Sequence, residues 1–133
     1  PRRVLEVGTG SGYQTAVLSG LVSEVYSVER IRPLLDKARD RFSQLSLRNV
    51  YLRHADGGWG WPEAAPFQAI IVTAAPKDVP PELLKQLDEG GRLVIPVGDN
   101  SQSLIVITRR GNDYERRTIE AVNFVPLLGG TVV

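Results

Sequence analysis

The sequence predicts an α/β fold: a doubly wound, mostly parallel sheet that ends in an antiparallel hairpin. Three observations predict it. Short apolar runs alternate with helical patterns five times along the chain, the spacing of parallel strands joined by crossover helices. Residues 68–73, QAIIVT, form a nearly continuous apolar run, as a central strand covered on both faces requires. The first run, residues 4–7, enters a turn with glycine at positions 8, 10 and 12, and a helical pattern begins directly after it.

The first strand is expected at residues 3–7. The helix after the glycines carries Tyr13, Val17, Leu18 and Leu21 on one face. Residues 24–28, EVYSV, read as the second strand, with Glu29 at its end. Ile31, Leu34, Leu35, Ala38, Phe42 and Leu45 form a long apolar stripe, and Arg32, Lys37, Arg39, Asp40 and Arg41 mark the opposite, solvated face. Residues 50–54 are the third strand and lead into His54-Ala55-Asp56-Gly57. Trp59 and Trp61 follow in a glycine-rich loop, either walling a pocket or packing beneath the loop. After the fourth strand, residues 68–73, comes Thr73-Ala74-Ala75-Pro76. Pro80-Pro81 open a short helix with Leu83, Leu84 and Leu87, and Gly90-Gly91 are expected to close it as a C-cap. Residues 92–97 form the fifth strand. Residues 103–109 and 114–122 read as a hairpin around Gly111-Asn112-Asp113. No linker or repeat interrupts the pattern, so residues 1–133 are expected to form a single domain.

The glycine turn reads as a nucleotide-type ligand site by its chemistry, the alternative being a glycine-rich structural turn with a solvated Glu6. A strand that turns sharply into a helix leaves free N–H groups at the helix start, and glycine lets a ligand approach the backbone. The dinucleotide fingerprint G-x-G-x-x-G fails here, because its third glycine falls on Tyr13. Glu6, two residues before Gly8, repels a pyrophosphate and suits a cationic ligand. S-adenosylmethionine, with a sulfonium and an ammonium and no phosphate, fits that description. Glu29 stands 21 residues after Gly8, where a carboxylate accepts both ribose hydroxyls; as a plain helix-start Glu it serves the macrodipole instead. Asp56 is placed to accept from an adenine amine, with Gly57 allowing close approach, or the pair is a simple Asp-Gly turn. Small residues at Thr73-Ala74-Ala75 leave room for a methyl donor and an acceptor to meet. Glu6, Gly8, Glu29, Asp56 and Thr73 all fall at C-terminal strand ends, where open α/β sheets bind ligands.

Composition narrows the function classes. With 42% hydrophobic residues, 133 residues are enough for one real core. A net charge of +1 selects neither nucleic acid nor an anionic membrane surface. There is no cysteine, and His54 is the only histidine, so a zinc site is not expected. No apolar run is long enough to span a bilayer and no signal peptide is visible, so a cytoplasmic protein is the expectation. The chain begins at Pro1, without Met, and reaches its first strand within three residues. Either it is naturally minimal, or an N-terminal part lies outside it.

Residues 6–15, EVGTGSGYQT, resemble the first motif of protein-L-isoaspartate O-methyltransferases. Residues 26–30 (YSVER), 54–57 (HADG), 69–76 (AIIVTAAP), 87–98 (LDEGGRLVIPVG) and 124–127 (FVPL) are also similar to that family, so the resemblance runs along essentially the whole chain. It implies the Rossmann-like class I methyltransferase form of the fold. It further implies methyl transfer from S-adenosyl-L-methionine to the α-carboxylate of L-isoaspartyl residues, leaving S-adenosyl-L-homocysteine. The ester then cyclises to a succinimide that reopens partly to normal aspartate, a protein repair. The implied partners are isoaspartyl proteins and peptides, with no nucleic acid, membrane or metal. The implied cofactor contacts are Glu6, Gly8, Thr9, Gly10, Gly12, Glu29, Arg30, Asp56, Gly57 and Thr73, and the implied substrate contacts are Ala74, Val125, Pro126 and Leu127. The family's active-site hydroxyl lies in a Gly-Gln-Thr-Ile-Ser-type stretch before the first strand. Nothing here matches it, so the catalytic residue stays unknown.

A carboxylate acceptor agrees with the residues present. It is already ionised at neutral pH and needs alignment and desolvation rather than a general base. Three alternatives stay open on sequence alone: another acceptor such as RNA or a small molecule, a nicotinamide oxidoreductase, and a cofactor-binding fragment without activity.

Overall fold

A computed structural model describes residues 2–133. Its strands are β1 (Arg3–Val7), β2 (Glu24–Glu29), β3 (Val50–His54), β4 (Phe67–Val72), β5 (Leu87–Gly98), β6 (Gln102–Arg110) and β7 (Asp113–Val122). The helices are α1 (Tyr13–Ser19), α2 (Arg32–Gln44) and α3 (Pro81–Lys85), with two short 3₁₀ turns at Gly57–Trp59 and Pro62–Ala64. All seven strands join one sheet in the order β3-β2-β1-β4-β5-β6-β7. The first five run parallel; β6 and β7 are antiparallel additions. The order reverses between β1 and β4, and such a switch point opens a crevice at the carboxyl ends of the strands. The expected fold class is the observed one.

Alternation along β1 assigns its two faces. Leu5 and Val7 join Val28, Phe67, Ile70, Leu83, Leu93, Ile95, Ile105 and Ile107 in one buried cluster. Val4 and Glu6 face the other way, and Glu6 bonds side chains of α1. Each fully buried Leu, Ile or Phe contributes roughly 1.5–3 kcal/mol of transfer free energy, so this cluster anchors β1 and β4 rigidly on either side of the switch point. Leu35, Ala38 and Phe42 are the buried positions of α2, part of the stripe read from the sequence; Leu45 is 61% exposed, just beyond the last helical turn.

Two elements depart from the sequence reading. Most of the stripe read for α1 does not face the core: Tyr13 is 78%, Val17 47% and Leu21, just past the helix, 70% exposed, and Leu18 is half-buried, while Thr15 is the buried position of the helix. A polar hydroxyl is turned inward because it has a buried carboxylate to meet. The second departure is at Gly90-Gly91, which do not cap α3. That helix ends at Lys85, and β5 already begins at Leu87. The register passes from Phe67↔Leu87 to Ala69↔Arg92, so residues 88–91 form a bulge. A Cβ on Gly91 would lie 2.9 Å from the Phe67 carbonyl oxygen, too close for any side chain.

The antiparallel pair closes the sheet on one side. β6 runs back toward the end where β1 starts, turns at Gly111, and β7 returns. β7 is exposed along nearly its whole length and carries Glu115, Arg116, Arg117 and Glu120, charges that blunt a free sheet edge. From its end the chain crosses back over the strand ends: Pro126 bridges Ala75, and Val132 bridges Ile31.

Candidate functional site

The turn after β1 is fixed from both sides of the switch point. Gly8 donates its N–H to the Val28 carbonyl at 2.8 Å, at φ +102°, and a Cβ there would lie 2.5 Å from Thr73 Oγ1. Gly12, at φ +87°, precedes α1, and its missing Cβ makes room for the Phe42 ring and Ala38 of α2. Around this turn lies a cavity of about 430 Å³. Val7, Gly8 and Gly10 contribute from β1 and its turn. Val28, Glu29, Arg30 and Ile31 contribute from the end of β2, and Leu34 from α2. Gly57 follows β3, Thr73 and Ala74 follow β4, and residues 125–128 complete the lining.

Glu29 opens onto this cavity while 94% of its surface is buried (6% exposed). Its Oε1 accepts from Gly10 N–H at 2.8 Å and its Oε2 from Ile31 N–H at 3.1 Å. Two oxygens with about four lone-pair sites retain room for further donors. The carboxylate therefore ties the glycine turn to the start of α2 and still presents acceptors to a ligand.

Glu6 stands beneath the glycine turn, at the end of β1. It is fully buried and is not part of the cavity lining. Its carboxylate accepts from Thr15 Oγ1, from Ser27 Oγ at 2.6 Å and from Gln14 Nε2 at 2.9 Å. Ser27 has one hydroxyl proton, so Thr9, 2.6 Å away, donates to Ser27 in turn. Burial pushes the Glu6 carboxyl above the usual carboxylate range; the bonds from Ser27, Thr15 and Gln14 pull it back, and the Glu29 charge adds to the upward push. Glu6 thus fastens β1 to α1 and β2 beneath the turn. The same network accounts for Thr9, 4% exposed and outside the lining.

Asp56 is engaged through both of its oxygens. Its Oδ1 accepts from Gly58 N–H at 2.8 Å and its Oδ2 from Gly130 N–H at 2.9 Å. It lies beside the cavity rather than in its lining, whereas its neighbour Gly57 is in it, held against Val7 and Leu127 where a Cβ does not fit. His54 is structural: Nε2 lies 2.9 Å from the Arg30 carbonyl and 3.0 Å from that of Val132. Trp61 packs edge-on against Tyr26 and beneath Arg53, while Trp59 is 62% exposed; neither lines the cavity.

The structure brings Gly8, Gly10, Glu29, Arg30, Gly57, Thr73, Ala74, Val125, Pro126 and Leu127 together, and leaves Glu6, Thr9, Gly12 and Asp56 around them. Sequence reasoning missed Val7, Val28, Ile31, Leu34 and Leu128. Ile31 and Leu34 stand three apart at the start of the α2 stripe, and the top of a stripe beside a strand end points at the crevice as well as at the core. Among the described residues, no cluster of His, Asp or Glu is arranged to hold a metal ion.

Comparison with known proteins adds the family. A family model described as protein-L-isoaspartate(D-aspartate) O-methyltransferase matches residues 1–132. A protein-L-isoaspartate O-methyltransferase 1 of Marinobacter nauticus is 66% identical over 132 residues, covering 99% of this chain and 61% of that protein. One from Hahella chejuensis is 59% identical over 133 residues, covering 99% and 63%. The chain thus spans about three fifths of the length of these relatives. A solved protein-L-isoaspartate O-methyltransferase superposes with a TM-score of 0.91 at 30% identity, covering 98% of this chain and 43% of that one. A Plasmodium falciparum structure, described as such an enzyme in complex with S-adenosyl-L-homocysteine, gives a TM-score of 0.79 at 26% identity, covering 96% and 66%. With its family model matched over all but the last residue, the chain belongs to the protein-L-isoaspartate O-methyltransferase family.

Proposed function

We propose that this chain is the S-adenosyl-L-methionine-binding domain of a methyltransferase that esterifies the α-carboxylate of L-isoaspartyl residues in proteins and peptides. The observation that carries the reading is the cavity at the switch point, whose charged lining groups among the described residues are Glu29 and Arg30 alone. Such a site suits a nucleoside without phosphates: one carboxylate for hydroxyl donors, glycines for close approach, and apolar walls. The family match supports the acceptor.

When bound, the cofactor supplies an electrophilic methyl group on a sulfonium. In this reading Glu29 accepts from the ribose hydroxyls, and the Gly8–Gly10 backbone passes close to the ligand because no Cβ intervenes. Ile31, Leu34 and Leu127 exclude water from the apolar part of the nucleoside. Thr73 and Ala74 are small and leave room on their side of the cavity for an acceptor carboxylate to approach. Residues 125–127 border that end, held by Val125 and Leu127 to the backbone of Ala75 at 2.7 and 2.9 Å. An ionised acceptor requires no base from the chain, only orientation and partial desolvation. Val125, Pro126 and Leu127 are assigned to the isoaspartyl peptide as part of the proposal, as is action in the cytoplasm. Among the described residues, no helix is long and apolar enough to cross a membrane.

Calorimetric titration with S-adenosyl-L-homocysteine tests the site. Saturable binding is expected, and Glu29→Ala is expected to weaken it by about tenfold or more, the worth of hydrogen bonds to a charged acceptor. A well-folded chain that takes up no S-adenosyl-L-homocysteine overturns the reading. Labelled methyl transfer by a longer family protein carrying this domain, to an isoaspartyl peptide or to bulk RNA, separates the acceptors.

A further inference from the structure

The segment after β7 is held by a series of hydrogen bonds and by Leu127, which packs against the core cluster. Val125 and Leu127 pair with Ala75 beyond β4. Gly130 N–H reaches Asp56 Oδ2 beyond β3 at 2.9 Å, and Val132 exchanges bonds with Arg30 and Arg32 beyond β2 at 2.6 and 2.7 Å. His54 adds a contact at 3.0 Å to the Val132 carbonyl. Ala75, Asp56, Arg30 and Arg32 are each a residue of the cavity lining or a chain neighbour of one. Apart from Leu127, burial contributes little: Val125 is 69%, Leu128 52% and Val132 42% exposed. One group is poorly served when the segment is docked. Arg30 Nε is buried without a partner among the described residues, and Arg30 Nη2 reaches the Gly129 carbonyl only at 3.4 Å. A segment with few buried contacts and one unmade bond opens locally far below the global unfolding free energy.

We infer that residues 125–132 act as a clasp over the nucleoside half of the site, whose docking is coupled to cofactor binding. The inference rests on the functional reading above. A nucleoside between Glu29 and Gly57 contacts Leu127 and Leu128 only when the clasp is docked, so ligand stabilises the docked clasp and the clasp slows ligand departure. Residues 128–132 then belong to the binding machinery as positioning residues.

Gly130 offers a clean test. It sits at φ +72°, with no atom within 4 Å of where a Cβ would stand, so Gly130→Ala introduces no clash and only the penalty of a left-handed backbone. Gly111→Ala imposes the same kind of penalty at φ +64° in the β6–β7 turn, also in open space, and serves as the control. Hydrogen exchange at the Gly130 and Val132 amides is expected to slow when S-adenosyl-L-homocysteine saturates the wild type. Its dissociation, followed by stopped flow, is expected to accelerate roughly five- to thirtyfold in Gly130→Ala and to stay unchanged in Gly111→Ala. Equal dissociation rates in the two variants, or amide exchange indifferent to ligand, overturn the clasp while leaving the cofactor site standing. A wild type that binds no S-adenosyl-L-homocysteine overturns the functional reading and the clasp with it.

Discussion

Glu6 places an ionisable group where no water reaches it. Its carboxyl is held above the ordinary carboxylate range chiefly by burial, so the folded chain keeps that proton more tightly than the unfolded chain does. This contribution to stability is greatest below the unfolded value and is lost as pH rises through the folded one. Glu6→Gln is expected to remove that decline, so the stability of the variant relative to wild type rises as pH climbs above the ordinary carboxylate range, read from urea midpoints. A difference that is flat or falls with pH contradicts the assignment. Gly8→Ala meets both a positive φ and the Thr73 hydroxyl, and is expected to cost about 1–3 kcal/mol in the same measurement and to weaken S-adenosyl-L-homocysteine binding. At this scale the sequence was informative about position and less so about orientation. The spacing of Glu6, Gly8 and Glu29 pointed to one end of the sheet, and all three lie at the carboxyl ends of β1 and β2. That Glu6 turns inward depends on Thr15 and Ser27, which meet it across 9 and 21 residues of chain, and no periodicity marks such partners.

At the scale of elements, the strands were legible because burial on both faces leaves an apolar run that little else produces. The first five strands and the final hairpin fall where the pattern places them, within a residue or two, except that β5 starts five residues early because the Gly90-Gly91 bulge belongs to it. Helix α1 was misleading. Its stripe Tyr13, Val17 and Leu21 has ideal spacing for a core face, but spacing reports a shared side, not what lies against it. Leu21→Lys is therefore expected to change stability by less than about 0.5 kcal/mol, as surface positions do, whereas Leu83→Ala, fully buried under the sheet, is expected to cost about 2–5 kcal/mol. Comparable losses in the two variants, measured by chemical denaturation, would place α1 against something in solution.

For the molecule as a whole, order is expected to decline from the centre of the sheet outward. β1 and β4 are paired on both sides and packed in the core cluster, while β7 has one neighbour and exposed side chains. Amide exchange in the free chain is expected to be slowest in β1 and β4 and fastest in β7 and the residues after it, a ranking that mass spectrometry of peptic fragments can read. A β7 as protected as β1 would mean that its open edge is occupied. The sheet order also explains why the candidate site was partly legible in the sequence: a switch point gathers residues from distant parts of the chain at one rim, so agreement among strand ends carries more weight than any single motif.

The two antiparallel strands carry a consequence of parity. The five parallel strands all finish at the rim of the cavity, so a chain leaving β5 starts there. One more strand would deliver its last residues to the opposite rim; two bring them home. An even count is what allows a terminal segment to reach a site built from strand ends. It also makes the turn at Gly111 the safest place to cut, lengthen or label the molecule, since it lies at the rim the ligand never visits.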